Sequence, residues 1–127
     1  MAKEQIVTDQ APRPSGAYSQ GLRMDDYLWV ASQGPYDPVT RAIVGTTIEE
    51  QTARTLDNVK AILEAGGATM ADVAMNHIFL KDLSDYAAFN GVYAEYFPGV
   101  KPARYCIRCD LVKPDCLVEI ASVAHLA

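Results

Sequence analysis

The sequence predicts an α+β sandwich in which two helices cover one face of a β-sheet, and two observations carry that expectation. Two segments keep apolar residues at helical spacing: Leu56, Val59 and Leu63 in one, and Tyr86, Phe89, Tyr93 and Phe97 in the other. Short β-branched and aromatic runs surround them, so the order along the chain reads strands, helix, strand, helix, strands.

The first strand expected is Tyr27 to Ser32, YLWVAS, which runs into the breakers Gly34, Pro35, Asp37 and Pro38. The first helix follows. Thr47 is placed to cap it, Glu50 three residues later completes a capping box, and Gly66 and Gly67 supply the stop. Val73 to Leu80, VAMNHIFL, is too short for a typical helix and rich in strand formers, which predicts a buried strand. The second helix is expected to start at Ser84 as N-cap and to end at Pro98-Gly99. Two last strands, Ala103 to Asp110 and Leu117 to Ala124, are joined by a turn around Lys113 and Pro114. Helices on one side leave the other sheet face in need of a polar surface or a partner subunit, because large apolar patches are uncommon on monomers.

The 127 residues fit one domain, 1–127, with one hydrophobic core. No apolar run reaches the length of a membrane span, and the N-terminal MAKEQIVTDQAPRP does not read as a signal peptide, so the expected location is cytoplasmic. Three cysteines, Cys106, Cys109 and Cys116, odd in number and crowded in one segment, suit reduced thiols. A formal charge of -5 argues against a sequence-independent grip on nucleic acid, which needs basic residues to displace phosphate counterions.

Strand alternation sets Arg104, Cys106 and Arg108 on one face and Tyr105, Ile107 and Cys109 on the other, with Arg104 and Cys106 about 7 Å apart. An arginine fixed on a strand offers a planar fork of donors that can hold a carboxylate. Glu119, between Val118 and Ile120, is an acid within an apolar run and needs a partner, for which Arg104 or a bound water are candidates. The residues alone leave two readings open, a binding site or a simple ion pair across two strands.

Cys106-x-x-Cys109 does not read as a metal or redox pair, because residues three apart on a strand face opposite ways and no second such pair exists. Cys106 reads as a small buried hydrophobe rather than a nucleophile. His77 reads as a core or interface residue, and His125 receives no role. The glycines of GAYSQG, around Tyr18, read as turn residues, since the segment does not match a phosphate-binding loop.

Three segments together resemble the Rid (YjgF/UK114) family: SGAYSQG at Ser15 to Gly21, SQGPYDP at Ser32 to Pro38, and KPARYCIRCDLVKPDCLVEI at Lys101 to Ile120. The resemblance covers almost the whole chain. From Gly66 to Leu126 it is closest to the branch that acts on 3-aminoacrylate in pyrimidine catabolism, whereas GAYSQG and SQGPYDP look more like the general 2-iminopropanoate deaminases. It implies a chorismate-mutase-like fold with a mixed sheet, assembled as a homotrimer with sites in clefts between subunits, and no metal or organic cofactor.

Carried over by position, the resemblance makes Arg104 the clamp on a small-molecule carboxylate and Glu119 the acid that orients and deprotonates water. Tyr18 becomes the ring that closes the pocket, and Cys106 a residue whose backbone faces the reacting carbon. The implied reaction is hydrolysis of an enamine or imine acid with release of ammonia. Asn90 and Gln33 fall near the cleft but are read as holding helix and loop. A second reading keeps the same cleft as a non-catalytic module that binds a small carboxylate. A third, ribonuclease activity, appears in older labels for the family and sits poorly with an acidic chain that has no histidine pair or basic groove.

Overall fold

In a computed structural model of the chain, the structure describes residues 2–126. Six strands, β1 (Glu4–Ile6), β2 (Gly21–Met24), β3 (Tyr27–Gln33), β4 (Val73–Leu80), β5 (Ala103–Arg108) and β6 (Val118–His125), form one sheet in the order β1-β2-β3-β6-β4-β5. Two helices, α1 (Ile48–Ala65) and α2 (Tyr86–Tyr96), lie on one face. β4 and β5 pair parallel and every other neighbouring pair is antiparallel, which makes the sheet mixed as expected. β6 inserts between β3 and β4, so the strand that carries Glu119 runs through the middle of the sheet, and the strand that carries Arg104 is an edge.

The core lies between the helices and one sheet face. Leu28 and Val30 of β3, Ile78 and Leu80 of β4 and Val118 and Ile120 of β6 are buried there with Leu56, Val59, Ile62 and Leu63 of α1. The alternating residues point to the uncovered face, where Tyr27, Trp29, Tyr105 and Ile107 stay exposed.

α1 begins as the sequence predicts. Glu50 N–H donates to Thr47 Oγ1 at 3.2 Å, and Glu50 Oε1 accepts from Thr47 N–H at 3.2 Å, a complete capping box. At its other end Gly67 takes φ 88°, a left-handed conformation that glycine adopts without penalty.

Several boundaries differ from expectation. Ser84 does not cap α2: it sits inside a short 3-10 turn, Leu83–Asp85, capped by Asp82, and the residue before α2 is Asp85. α2 ends at Tyr96, two residues before Pro98, and Tyr86 is exposed rather than part of the core stripe. β5 stops at Arg108 instead of Asp110. β1 and β2 were not expected; Gly21, read as a turn residue, opens β2, where an added Cβ would lie 2.9 Å from Ile62 Cγ2 and 3.1 Å from Trp29 O.

Candidate functional site

Arg104 lies opposite Asn76 of β4, and Glu119 lies opposite Phe79 of the same strand. Residues 76 and 79 are an odd number apart, so the two side chains occupy opposite faces of the sheet. The ion pair across two strands is therefore excluded: among the described residues the one salt bridge is Arg13 with Asp9. Each side chain belongs to its own recess.

On the helix side, α2 builds the Arg104 recess. Arg104 Nη2 donates to Asn90 Oδ1 at 2.6 Å and to Tyr86 Oη at 3.1 Å, and the guanidinium lies 4.7 Å from the Tyr93 ring centroid. Both hydrogen bonds use Nη2, and Nε and Nη1 make none among the described residues. The shallow pocket beside it, about 410 Å³, is lined by Leu83, Tyr86, Arg104, Tyr105 and Cys106. Partial burial raises the Cys106 thiol above its usual value, with Arg104 offsetting part of the effect, so the thiol form is favoured and a thiolate nucleophile is not. Asn90, read from sequence as a scaffold residue, is the direct partner of Arg104.

The Glu119 recess, about 430 Å³, has Tyr18, Ser32, Tyr36, Arg41, Lys113 and Glu119 among its lining residues. Glu119 is half-buried rather than buried, and its Oε1 accepts from Ser32 Oγ at 3.0 Å. A β-bulge makes that bond possible. Val30 pairs with Ser122 and Gln33 with Ile120, so β3 spends one more residue than β6 over this stretch. The extra residue turns Ser32 to the uncovered face beside Glu119 and returns Gln33 to the buried face.

Tyr18 is exposed, and its hydroxyl is held by Ser15 N–H at 3.2 Å. Hydrogen bonding from Ser15 lowers this phenol below its ordinary value. Tyr36 is shifted the opposite way, first by burial and then by its Cys116 and Glu119 neighbours. Gly34 lets the Tyr36 ring lie against the backbone, since a Cβ there would come within 2.5 Å of Tyr36 Cε2.

Buried amides fix the loops of this recess. Gln20 Oε1 accepts from Thr8 N–H, and its Nε2 donates to the carbonyls of Thr8, Ala11 and Pro12, which anchors the segment leading to Tyr18. Asn58 Nδ2 of α1 donates to the carbonyls of Gly34 and Tyr36 at 3.0 and 2.9 Å. Gln51 accepts from Leu117 N–H and donates to Asp115 O just before β6.

Within one chain the structure thus joins Tyr18 with Glu119, and Arg104 with Cys106, but does not join the two pairs. His77 and His125 reach neither recess: His77 Nδ1 meets Tyr105 Oη at 2.8 Å, and His125 packs edge-on against Tyr27. Among the described residues no three His, Cys, Asp or Glu side chains gather as a metal site, and no helix is long and apolar enough to cross a membrane.

The fold and the site together define a small α+β protein with a mixed six-stranded sheet that carries an arginine on the helix-covered face and a carboxylate on the other. More particularly, the chain belongs to the Endoribonuclease L-PSP family, the Rid (YjgF) family, whose profile matches residues 8–126. It is 46% identical over 123 residues to a RutC family protein of Saccharolobus solfataricus, covering 97% of this chain and 98% of that one. Solved structures share the fold, among them these two. A Rid-family protein from Yersinia pestis, YyfA, has a TM-score of 0.93 at 33% identity, covering 98% of this chain and 100% of that one. E. coli TdcF with bound serine has a TM-score of 0.91 at 30% identity, covering 98% and 99%.

Proposed function

We propose that the protein is a cofactor-free hydrolytic deaminase of small enamine or imine acids, 2-aminoacrylate/2-iminopropanoate or 3-aminoacrylate, acting in the cytoplasm as a homotrimer of one-domain subunits with sites between them. The observation that carries the reading is the separation of Arg104 and Glu119 onto opposite faces of one sheet, each in its own recess. A carboxylate clamp and a water-orienting acid that cannot meet within one copy are complementary halves for two copies.

The chemistry follows from the groups. Arg104, steadied by Asn90 and Tyr86, takes the substrate carboxylate on its free donors, and Tyr18 closes over the ligand. Glu119, its Oε1 fixed by Ser32, orients a water toward the C=N carbon and accepts its proton. The tetrahedral carbinolamine then expels ammonia and leaves a keto acid or a semialdehyde. Cys106 contributes backbone at the sheet edge, in keeping with a thiol whose ionised form is disfavoured. The serine bound to TdcF, a relative of the same fold, supports a small amino or keto acid as the class of ligand. It also supports a second reading, a module that holds a small amino or keto acid without turnover.

Ammonia release from 2-aminoacrylate and 3-aminoacrylate generated in situ tests the proposal against the spontaneous rate. Wild type is expected to accelerate at least one of them, Arg104→Ala to lose the acceleration with the oligomer intact, and Cys106→Ala to keep most of it. Ligand retention with no acceleration by wild type would select the binding module instead. Full inactivation of Cys106→Ala with the fold preserved would return the thiol to the mechanism.

A further inference from the structure

Arg41 is a feature of the Glu119 recess that the deamination chemistry does not use. It has φ 65°, the left-handed region that disfavours L side chains and that glycine occupies freely. The turn that imposes this conformation is built from other groups. Asp37 Oδ1 accepts from Val39 and Thr40 N–H, Arg41 N–H donates to Asp37 O, Asp37 N–H donates to Ala42 O, and Tyr36 bridges Ile43. Any advantage of arginine at this position therefore lies in its guanidinium, not in the turn.

That guanidinium lines the recess with Lys113, whose Nζ lies 5.0 Å from the Tyr36 ring centroid. Neither cation forms a salt bridge among the described residues, and Glu119 bonds to Ser32. The chain carries a net charge of -5, yet this recess sets Arg13, Arg41 and Lys113 against the single carboxylate of Glu119. Arg13 is paired with Asp9, which leaves Arg41 and Lys113 as the excess. Arg41 is also within electrostatic reach of Tyr18: after the Ser15 hydrogen bonds, its charge is a further cause of the lowered phenol.

We propose that Arg41 and Lys113 read a second anionic group, so that the preferred substrate is a dicarboxylic imine acid with one carboxylate on Arg104 and the other on this cationic corner. The inference rests on the deaminase reading for its turnover, and it deepens that reading by naming the substrate class. A dianion brought beside Glu119 is repelled by it, and two unpaired cations in the same recess reverse that repulsion. For 2-iminosuccinate the step balances without a redox partner. Water forms a C–O bond at the imine carbon, the C–N bond breaks, nitrogen leaves as ammonia with its protons, and oxaloacetate remains.

The test compares 2-iminosuccinate, generated from aspartate by an oxidase, with 2-iminopropanoate generated likewise from alanine, on wild type and Arg41→Gly. Glycine suits φ 65°, so the turn is kept, and a melting temperature at or above that of wild type confirms it. Wild type is expected to prefer the dianion. In the variant the ratio of kcat/KM values, dianion over monoanion, falls at least tenfold, equivalent to about 1.4 kcal/mol. An unchanged ratio, or an equal loss on both substrates, overturns the proposal; the equal loss would mean that Arg41 merely offsets Glu119.

Calorimetric titration with oxaloacetate and with pyruvate separates this inference from the deaminase reading. Tighter binding of oxaloacetate that is lost in Arg41→Gly upholds it even where neither imine is hydrolysed, in which case the deaminase reading falls alone. Equal binding of the two keto acids by wild type overturns it whatever the turnover.

Discussion

At the scale of single residues, the Arg104 recess shows what a periodic reading can and cannot see. Tyr86 shares the helical spacing of Phe89 and Tyr93, so sequence places it in the core; the first turn of α2 instead leaves its ring exposed, and its hydroxyl meets Arg104. Asn90, one turn further on, was expected to hold helix and loop and instead accepts from Arg104. A charge-assisted bond of this kind is worth about 1.5–3 kcal/mol. Asn90→Ala is expected to raise KM by roughly tenfold or more with a smaller change in kcat, because it would loosen the proposed carboxylate clamp and leave Glu119 untouched. Steady-state kinetics on a deaminated imine acid checks this; an unchanged KM with lost stability would make Asn90 structural only. The pairing of Arg104 with α2 was not legible because it depends on where the edge strand sits under the helix, which no local pattern encodes.

At the scale of elements, the parts with strong local chemistry were legible. The Thr47–Glu50 capping box, β4 and the α1 core stripe stand in the structure where the sequence put them. β1 and β2, three and four residues long with no alternating pattern, were not, since short strands owe their existence to a neighbour. Nor was the bulge in β3 that turns Ser32 toward Glu119, because one extra residue becomes visible only against the partner strand. α1 has a second task besides filling the core: its Asn58 is fully buried and holds the loop that runs into Tyr36. Truncating it strands two carbonyls, whereas truncating Thr47 removes a cap exposed to water. Asn58→Ala is therefore expected to cost about 2–3 kcal/mol and Thr47→Ala about 1 kcal/mol. Urea denaturation measures both, and the reverse order would contradict the anchoring role of Asn58.

At the scale of the whole molecule, the sheet has one face filled by helices and one that leaves Tyr27, Trp29, Tyr105 and Ile107 partly open to water. The sequence raised this imbalance, and the structure adds that Arg104 and Glu119 also lie on opposite faces, one at the β5 edge and one at central β6. The proposed homotrimer would answer both, covering the open face and letting the Arg104 recess of each copy meet the Glu119 recess of the next. That arrangement makes a demand that a site within one subunit does not. Arg104→Ala and Glu119→Gln are each expected to inactivate every site when pure, whereas a mixed trimer of the proposed kind would contain interfaces where an intact Arg104 faces an intact Glu119. Random mixing in a ring makes such an interface about one time in four, so co-refolding the two inactive variants should restore about a quarter of wild-type ammonia release. Refolding each variant alone provides the control. Mixtures that form trimers and stay inactive would mean that both residues must come from one chain, and the opposite-face geometry would then have to be bridged by a change in the fold itself.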